Sequence, residues 1–289
     1  GASGVSVNTS EVDELCAKAA EKLWSDKGQS LMVAGSNSKG VQVLVNGINE
    51  MLGNYGSTIS KINEVNLRKA KDQEIQDLIA EMNSGQVGML IIAGANPAYS
   101  LSNSDEFREA LAKVTNRVAC TQYMDETASL CNVVCPDHHY LESWNDFHIK
   151  SDYLGVAQPA ISKLYNTRQY AESFVRWSGT DSDHLNFMKS VWSSELPLNT
   201  EEGLFEDRWN RAVHDGGIKL TAPDLGLTAF SGNVSAAASE VSQLAALSEG
   251  EFELALYTKS GIGNGTHAAN PWLQELPDPL TKLAWDNAA

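Results

Sequence analysis

Met89-Leu90-Ile91-Ile92-Ala93-Gly94-Ala95-Asn96-Pro97 decides how the rest of the chain reads. Its first five residues form the strongest strand in the sequence: an apolar run too short for a helix and broken by Gly94. Working outward, a helix is expected from about Ser104 to Val114, then a strand Val118 to Thr121, a short helical turn through Thr127 to Leu130, and a strand Asn132 to Cys135. Upstream, Asp72 to Met82 places Ile75, Leu78, Ile79 and Met82 on one helical face, and Ser57 to Ile59 is a weak strand. Val41 to Leu52 is helical up to Gly53-Asn54, and Ser30 to Gly35 reads as a buried strand. Ser10 and Asp13 make a capping-box-like start to a first helix ending near Gly28. Apolar strands alternating with helices predict a five-stranded, doubly wound, mainly parallel α/β domain over residues 28 to 145.

Beyond Pro136 the alternation stops. Tyr170 to Trp177, His184 to Trp192, Gly203 to Val213 and Val234 to Leu247 read as helices, and Glu253 to Thr258 as a strand. The division expected is a Rossmann-like domain over 1–165, a mainly helical segment over 166–250, and the start of a truncated C-terminal domain over 251–289. The last of these is expected because Asn270 to Ala289, rich in Pro and Trp, finishes abruptly. The opening Gly-Ala-Ser-Gly, with no Met and no charged-then-apolar leader, gives no reading of a targeting signal.

The 289 residues carry 21 Lys and Arg against 37 Asp and Glu, a net charge of −16. Such a field repels nucleic acid and anionic membrane surfaces, and it would steer a basic protein toward the chain. No apolar run approaches the ~20 residues of a membrane span, so no direct insertion is expected. The four cysteines are too few for a disulfide scaffold. Cys131 and Cys135 lie about 13 Å apart if the residues between them are a strand, beyond disulfide reach, and read as buried, inert thiols.

In an open parallel sheet, ligands bind outside the carboxyl ends of the strands. Three loops fall there. Gly94 would let a backbone approach a ligand closely, Asn96 offers donor and acceptor, and Pro97 stiffens the exit; a plain strand-to-helix turn explains them as well. Thr121 to Thr127 follows the next strand, where Thr121 or Asp125 could cap a helix whose N-terminus attracts an anion. Asp137-His138-His139-Tyr140-Leu141-Glu142 follows the last, with imidazoles beside carboxylates suited to a metal or to acid-base chemistry. Adjacent side chains on extended backbone point apart, so His138 and His139 do not easily share one ion. The Asp-His-His triplet resembles the DHH phosphoesterases, but Asp125 and Asp137 do not supply that family's further aspartate motifs. A nucleophile elbow and the two common phosphate-loop patterns are missing, and Gly261 to Gly265 reads as a loop.

Taken in order, several segments resemble the molybdopterin oxidoreductase family. They are Leu31 to Gly35, Val45 to Gly56, Leu90 to Pro97, Asp125-Glu126-Thr127-Ala128 and Val133-Val134-Cys135-Pro136-Asp137. The family pattern has a strand ending in Gly-x-Asn-Pro, a Thr-Glu-Thr-Ala segment and a strand Ala-Asp-Val-Val-Leu-Pro. Asp125 here replaces a Thr, and Cys131-Asn132 replaces Ala-Asp. Pro136 to Trp144, Gln158-Pro159-Ala160-Ile161, Asn166-Thr167-Arg168-Gln169 and Asn270 to Pro279 are similar to the large molybdopterin-like, iron-sulfur subunit of alternative complex III, a bacterial quinol to cytochrome c oxidoreductase.

The resemblance implies that Gly94, Asn96, Thr121, Glu126 and Asp137 lie where the family's loops line the nucleotide end of molybdopterin guanine dinucleotide. In the alternative complex III subunit the region keeps the fold without molybdenum, and its iron-sulfur clusters belong to Cys-rich motifs that this chain lacks. The expectation is a cofactor-less scaffold and docking segment of a respiratory membrane complex on the periplasmic side of the bacterial inner membrane. Its partners would be other subunits of that complex and a cytochrome. Two rivals stand beside it: part of a catalytic molybdopterin-dependent oxidoreductase, and a metal-dependent hydrolase built on Asp137, His138 and His139. Of the seven Trp residues, Trp144, Trp177, Trp192, Trp209, Trp272 and Trp285 are read as core residues or as interface anchors.

Overall fold

A computed structural model of the chain describes residues 9–60, 65–66, 71–194, 204–220, 230–246, 261–263, 265 and 267–285. In chain order the elements are α1 (Thr9–Ser25), α2 (Lys39–Met51), α3 (Asp72–Asn83), β1 (Met89–Ala93), α4 (Pro97–Ser100), α5 (Ser104–Ala112), β2 (Asn116–Thr121) and β3 (Val133–Pro136). They continue with β4 (Asn145–Lys150), β5 (Tyr153–Ala157), α6 (Tyr170–Trp177), α7 (His184–Ser194), α8 (Phe205–Asp215), β6 (Gly217–Lys219), α9 (Val234–Ala246) and α10 (Pro271–Gln274). Two compact units emerge, each made of separated stretches: residues 1–65, 150–152 and 221–254 in one, and 66–149, 153–220 and 255–289 in the other.

The second unit holds the parallel sheet. Its order is β1-β2-β3, with Ile91 opposite Val118 and Cys120 opposite Cys135. Leu90 and Ile92 of β1 point to a core built by Ile79 and Met82 of α3, Ala98 of α4, and Phe107, Ala110 and Leu111 of α5. The 3.6-residue spacing of the apolar side chains on α3 and α5 makes that stripe possible, and acidic residues in their first turns (Asp72, Glu74, Asp105, Glu106) suit the helix dipoles. Met89 (57% exposed), Ile91 (39%) and Val133 (50%), by contrast, remain open to solvent. A second cluster gathers Leu154 and Val156 of β5, Met188 and Trp192 of α7, and Trp209 and Ala212 of α8. Trp192 is buried to 1% and its indole N–H donates to Asp146 Oδ2 at 2.8 Å.

The first unit packs α2 against α9. Gly40 and Gly47, seven residues apart and so on one face of α2, lie against α9 and the residues leading into it. A Cβ at Gly40 would stand 3.1 Å from the Ala237 carbonyl oxygen, and one at Gly47 3.3 Å from Val234 Cγ2. Ser38 caps α2 by accepting from the Val41 N–H.

The α/β class, the parallel sheet and the helical character of the later chain are as read from sequence. The strand count is not: among the described residues the parallel sheet has three strands, not five. Ser30 to Gly35 forms no strand, and its backbone bonds go to side chains. Asn49 accepts from the Met32 N–H at 3.0 Å and donates to its carbonyl at 2.9 Å, so no neighbouring strand is needed. Ser57 to Ile59 forms a tight turn, with Gly56 N donating to Ile59 O and Ile59 N to Asn54 O. The small sheet β4-β5-β6, with β5 and β6 antiparallel, lies where no strand was expected. The α1 helix forms, yet Val12, Leu15 and Cys16 on it are exposed. Residues 253–258 lie outside the described residues. No helix among the described residues is long and apolar enough to cross a membrane.

Candidate functional site

Parallel pairing in the order β1-β2-β3 aims all three strand ends the same way, and their loops meet along one rim. Gly94 takes φ +61°, a left-handed conformation that favours glycine, and its N–H donates to the Cys120 carbonyl at 3.1 Å. A Cβ there would meet nothing within 4 Å. Two residues on, the Asn96 amide bridges to the second loop. Its Nδ2 donates to Glu126 Oε2 at 2.7 Å, and its Oδ1 accepts from the Thr127 hydroxyl at 2.7 Å and from the Thr127 N–H at 3.2 Å. The buried Thr127 hydroxyl in turn accepts from the Ala98 N–H at 3.0 Å, fixing the start of α4. The bond from Asn96 is the chief reason that the Glu126 carboxyl lies below the usual glutamate range.

Thr121 donates to Asp125 Oδ2 at 3.4 Å, and Asp125 Oδ1 accepts from the Ala128 N–H at 2.7 Å. Asp125 is therefore the residue that holds the short helical turn Ala128–Leu130. Asp137 joins the third loop to the second through its own N–H, which donates to the Thr121 carbonyl at 3.1 Å. Its Oδ1 accepts from the N–H groups of His138 (2.8 Å) and Tyr170 (2.9 Å), so one carboxylate oxygen anchors the start of α6. Burial raises the Asp137 pKa above the ordinary aspartate value, and those two N–H bonds pull the other way. Gln122 Nε2 completes the rim by donating to the His138 carbonyl at 2.8 Å.

All five residues picked out for a cofactor, Gly94, Asn96, Thr121, Glu126 and Asp137, thus stand on one rim. Their side-chain bonds, however, run to each other and to the backbone. Asn96, the richest donor-acceptor among them, has both its nitrogen and its oxygen engaged inside the protein, which fits poorly with a residue waiting to hold a nucleotide. Gly94 alone leaves open space above its backbone.

The Asp-His-His stretch is local scaffolding. His138 Nδ1 bonds the Thr167 hydroxyl at 2.6 Å, while His139 accepts from the Leu141 N–H and its own N–H donates to Glu142 Oε2. Glu142 Oε1 also accepts from the Leu164 N–H at 2.8 Å. These two backbone donors hold its pKa below the usual range. No group of three His, Cys, Asp or Glu side chains among the described residues could hold a metal. Of the thiols, Cys120 is buried and pushed up to about 11, mainly by desolvation, while Cys131 and Cys135 are half-buried. Trp192 and Trp209 are core residues; Trp177, Trp272 and Trp285 are exposed.

Sequence reasoning missed Thr127, the knot of the first two loops, although it quoted the residue. It also missed a cleft of about 750 Å³ beside the end of β3, lined by His138, Lys163, Arg168 and the start of α7. The two cations give little signal in sequence because they sit in an irregular loop.

A 94-residue stretch is 30% identical to the menaquinone reductase, molybdopterin-binding-like subunit of Nitratidesulfovibrio vulgaris, covering 31% of this chain and 14% of that protein. Acetylene hydratase from Pelobacter acetylenicus superposes with a TM-score of 0.39 at 16% identity, over 70% of this chain and 28% of the hydratase. The chain therefore spans only a small part of the length of the relatives it matches. The molybdopterin oxidoreductase family profile matches residues 15–162, a stretch that contains β1, β2, β3 and all three rim loops. The chain belongs to the molybdopterin oxidoreductase family.

Proposed function

We propose that the chain is part of a molybdopterin-oxidoreductase-like subunit in a membrane-associated, quinone-linked electron-transfer complex, and that it acts there as scaffold and docking surface without a cofactor of its own. The observation that carries this reading is the internal commitment of the rim: Asn96, Thr121, Thr127 and Asp137 bond one another's loops rather than point free donors outward. The name of the Nitratidesulfovibrio relative, a molybdopterin-binding-like subunit of a menaquinone reductase, supports the quinone link. The resemblance to alternative complex III extends the reading to electron flow from quinol to cytochrome c, with other subunits and a cytochrome as partners, at the periplasmic face of the inner membrane.

One feature favours a second reading. The open space over Gly94 would admit the backbone approach of a nucleotide, with Asn96, Thr121, Glu126 and Asp137 around the guanosine end of the molybdopterin cofactor. Molybdenum and pterin assays on the whole complex, isolated from its native membranes and resolved into subunits, separate the two. The scaffold reading expects neither in the subunit that contains this chain. Stoichiometric molybdenum or pterin there overturns it in favour of the second.

A further inference from the structure

Cys120 of β2 and Cys135 of β3 stand directly opposite each other in the parallel ladder. Partners in register point to the same face of a sheet, and neighbouring strands run about 4.8 Å apart, inside the roughly 4.4–6.8 Å Cα separation that a disulfide needs. Backbone bonds hold the strand ends around the pair: Gly94 N donates to the Cys120 carbonyl and Asp137 N to the Thr121 carbonyl, both at 3.1 Å. Burial is the main cause that raises the Cys120 pKa, and the Cys135 thiol beside it is the next. The two thiols differ in access. Cys120 is 1% exposed, whereas Cys135 is half-buried and lines the cleft beside the end of β3, so a small reagent there meets Cys135 first. Cys131, at the end of the turn Ala128–Leu130, precedes β3 and has no cysteine opposite it.

We propose that Cys120 and Cys135 form a reversible dithiol–disulfide pair, oxidised by exchange with a low-molecular-weight disulfide. Cys135 Sγ, its proton given up to solvent, attacks one sulfur of the small disulfide, whose S–S bond breaks and releases the first small thiol. Cys120 Sγ then attacks Cys135 Sγ. The bond to the second small thiol breaks, and that thiol departs with the proton that Cys120 gives up. Two protein thiols are oxidised to one disulfide, and one small disulfide is reduced to two thiols. Cβ atoms separated by roughly the strand spacing lie at the long end of the 3.5–4.5 Å that disulfides prefer, so closure draws the strands together and the bond is readily reduced again. The disulfide would tie β2 to β3 just before the second and third rim loops begin. It does not depend on the scaffold reading, which rests on Asn96, Thr121, Thr127 and Asp137.

Equilibrating the folded protein in mixtures of reduced and oxidised glutathione tests it. Acid quenching, alkylation of the remaining thiols and cleavage at Asp125 and Glu126 separate the Cys120 peptide from the Cys135 peptide for mass spectrometry. In oxidising mixtures the two peptides should appear joined, lighter by two hydrogens, with fragment ions placing the bond at Cys135 rather than Cys131. Reduced glutathione in excess should return both thiols. Cys120→Ala should stall with glutathione on Cys135. In Cys135→Ala, Cys120 should be consumed at least about tenfold more slowly than in the parent, because its thiol is buried and pushed up to about 11. Thermal melts establish that the variants fold, and the peptide map of the parent needs no variant. Cys120 that stays open to alkylation in every mixture overturns the proposal. So does a bond that runs through Cys131 or Cys16, a bond that forms only in urea, or loss of Cys120 at the parent rate in Cys135→Ala.

Discussion

Asp137 shows how one side chain serves both packing and charge. Burial opposes its ionisation, while the two N–H groups that it accepts require an oxygen but not a full charge. Because its folded pKa is raised above the ordinary 3.8, the folded state holds more protons than the unfolded state just above that value. Stability attributable to this group therefore falls as pH climbs from 3.8 through the raised folded pKa, and stays lower above it. Asp137→Asn keeps Oδ1 for both donors and removes the buried charge. Urea unfolding should show that slope flattened and stability at pH 7 equal to or above that of the parent. Asp137→Ala should cost about 1–3 kcal/mol, the penalty of two orphaned N–H groups. A pH profile of Asp137→Asn indistinguishable from the parent's would contradict this account.

Between elements, small residues decide how closely helices approach. A methyl added at Gly40 would meet a backbone carbonyl, Ala237 O at 3.1 Å, which cannot move without shifting α9. At Gly47 the nearest neighbours are the side chains of Val234 and Phe230, at 3.3 and 3.5 Å, which can turn aside. Overpacking costs about 1–3 kcal/mol, whereas Gly→Ala inside a helix gains roughly 0.5–1 kcal/mol. Gly40→Ala should therefore destabilise by about 1–2 kcal/mol, with Gly47→Ala near neutral; equal melting shifts for the two would refute the assignment. What was legible in the sequence follows the same division between backbone pattern and side-chain chemistry. Met89 to Ala93 announced itself because a short apolar run has few other uses. Ser30 to Gly35 misled because its backbone bonds side chains in place of a neighbouring strand: Met32 the buried Asn49 seventeen residues downstream, Ala34 Gln42, and Ser30 Thr58. Asn145 to Lys150 carries Asp146, His148 and Lys150 and hides its strand behind charge, and Gly217 to Lys219 is too short to show a period. The rim was legible because topology alone places strand-end loops together; that Asn96 would be engaged on both sides was not, since such pairing depends on a residue thirty positions away.

For the molecule as a whole, a net charge of −16 sets how it meets other proteins. If a basic cytochrome is a partner, their association rate should drop roughly tenfold or more as ionic strength rises from about 0.01 M to 1 M, while the screening length shrinks from about 30 Å to about 3 Å. Stopped-flow rates that do not change with salt would exclude charge steering. The fastening of the first two loops through Asn96 and Thr127 has its own corollary. Segments knotted this way, one to the other and both to the first turn of α4, have no independent swing. Whatever touches this edge of the sheet meets a surface whose form is settled beforehand, and selectivity there must come from the visitor's fit rather than from a closing flap.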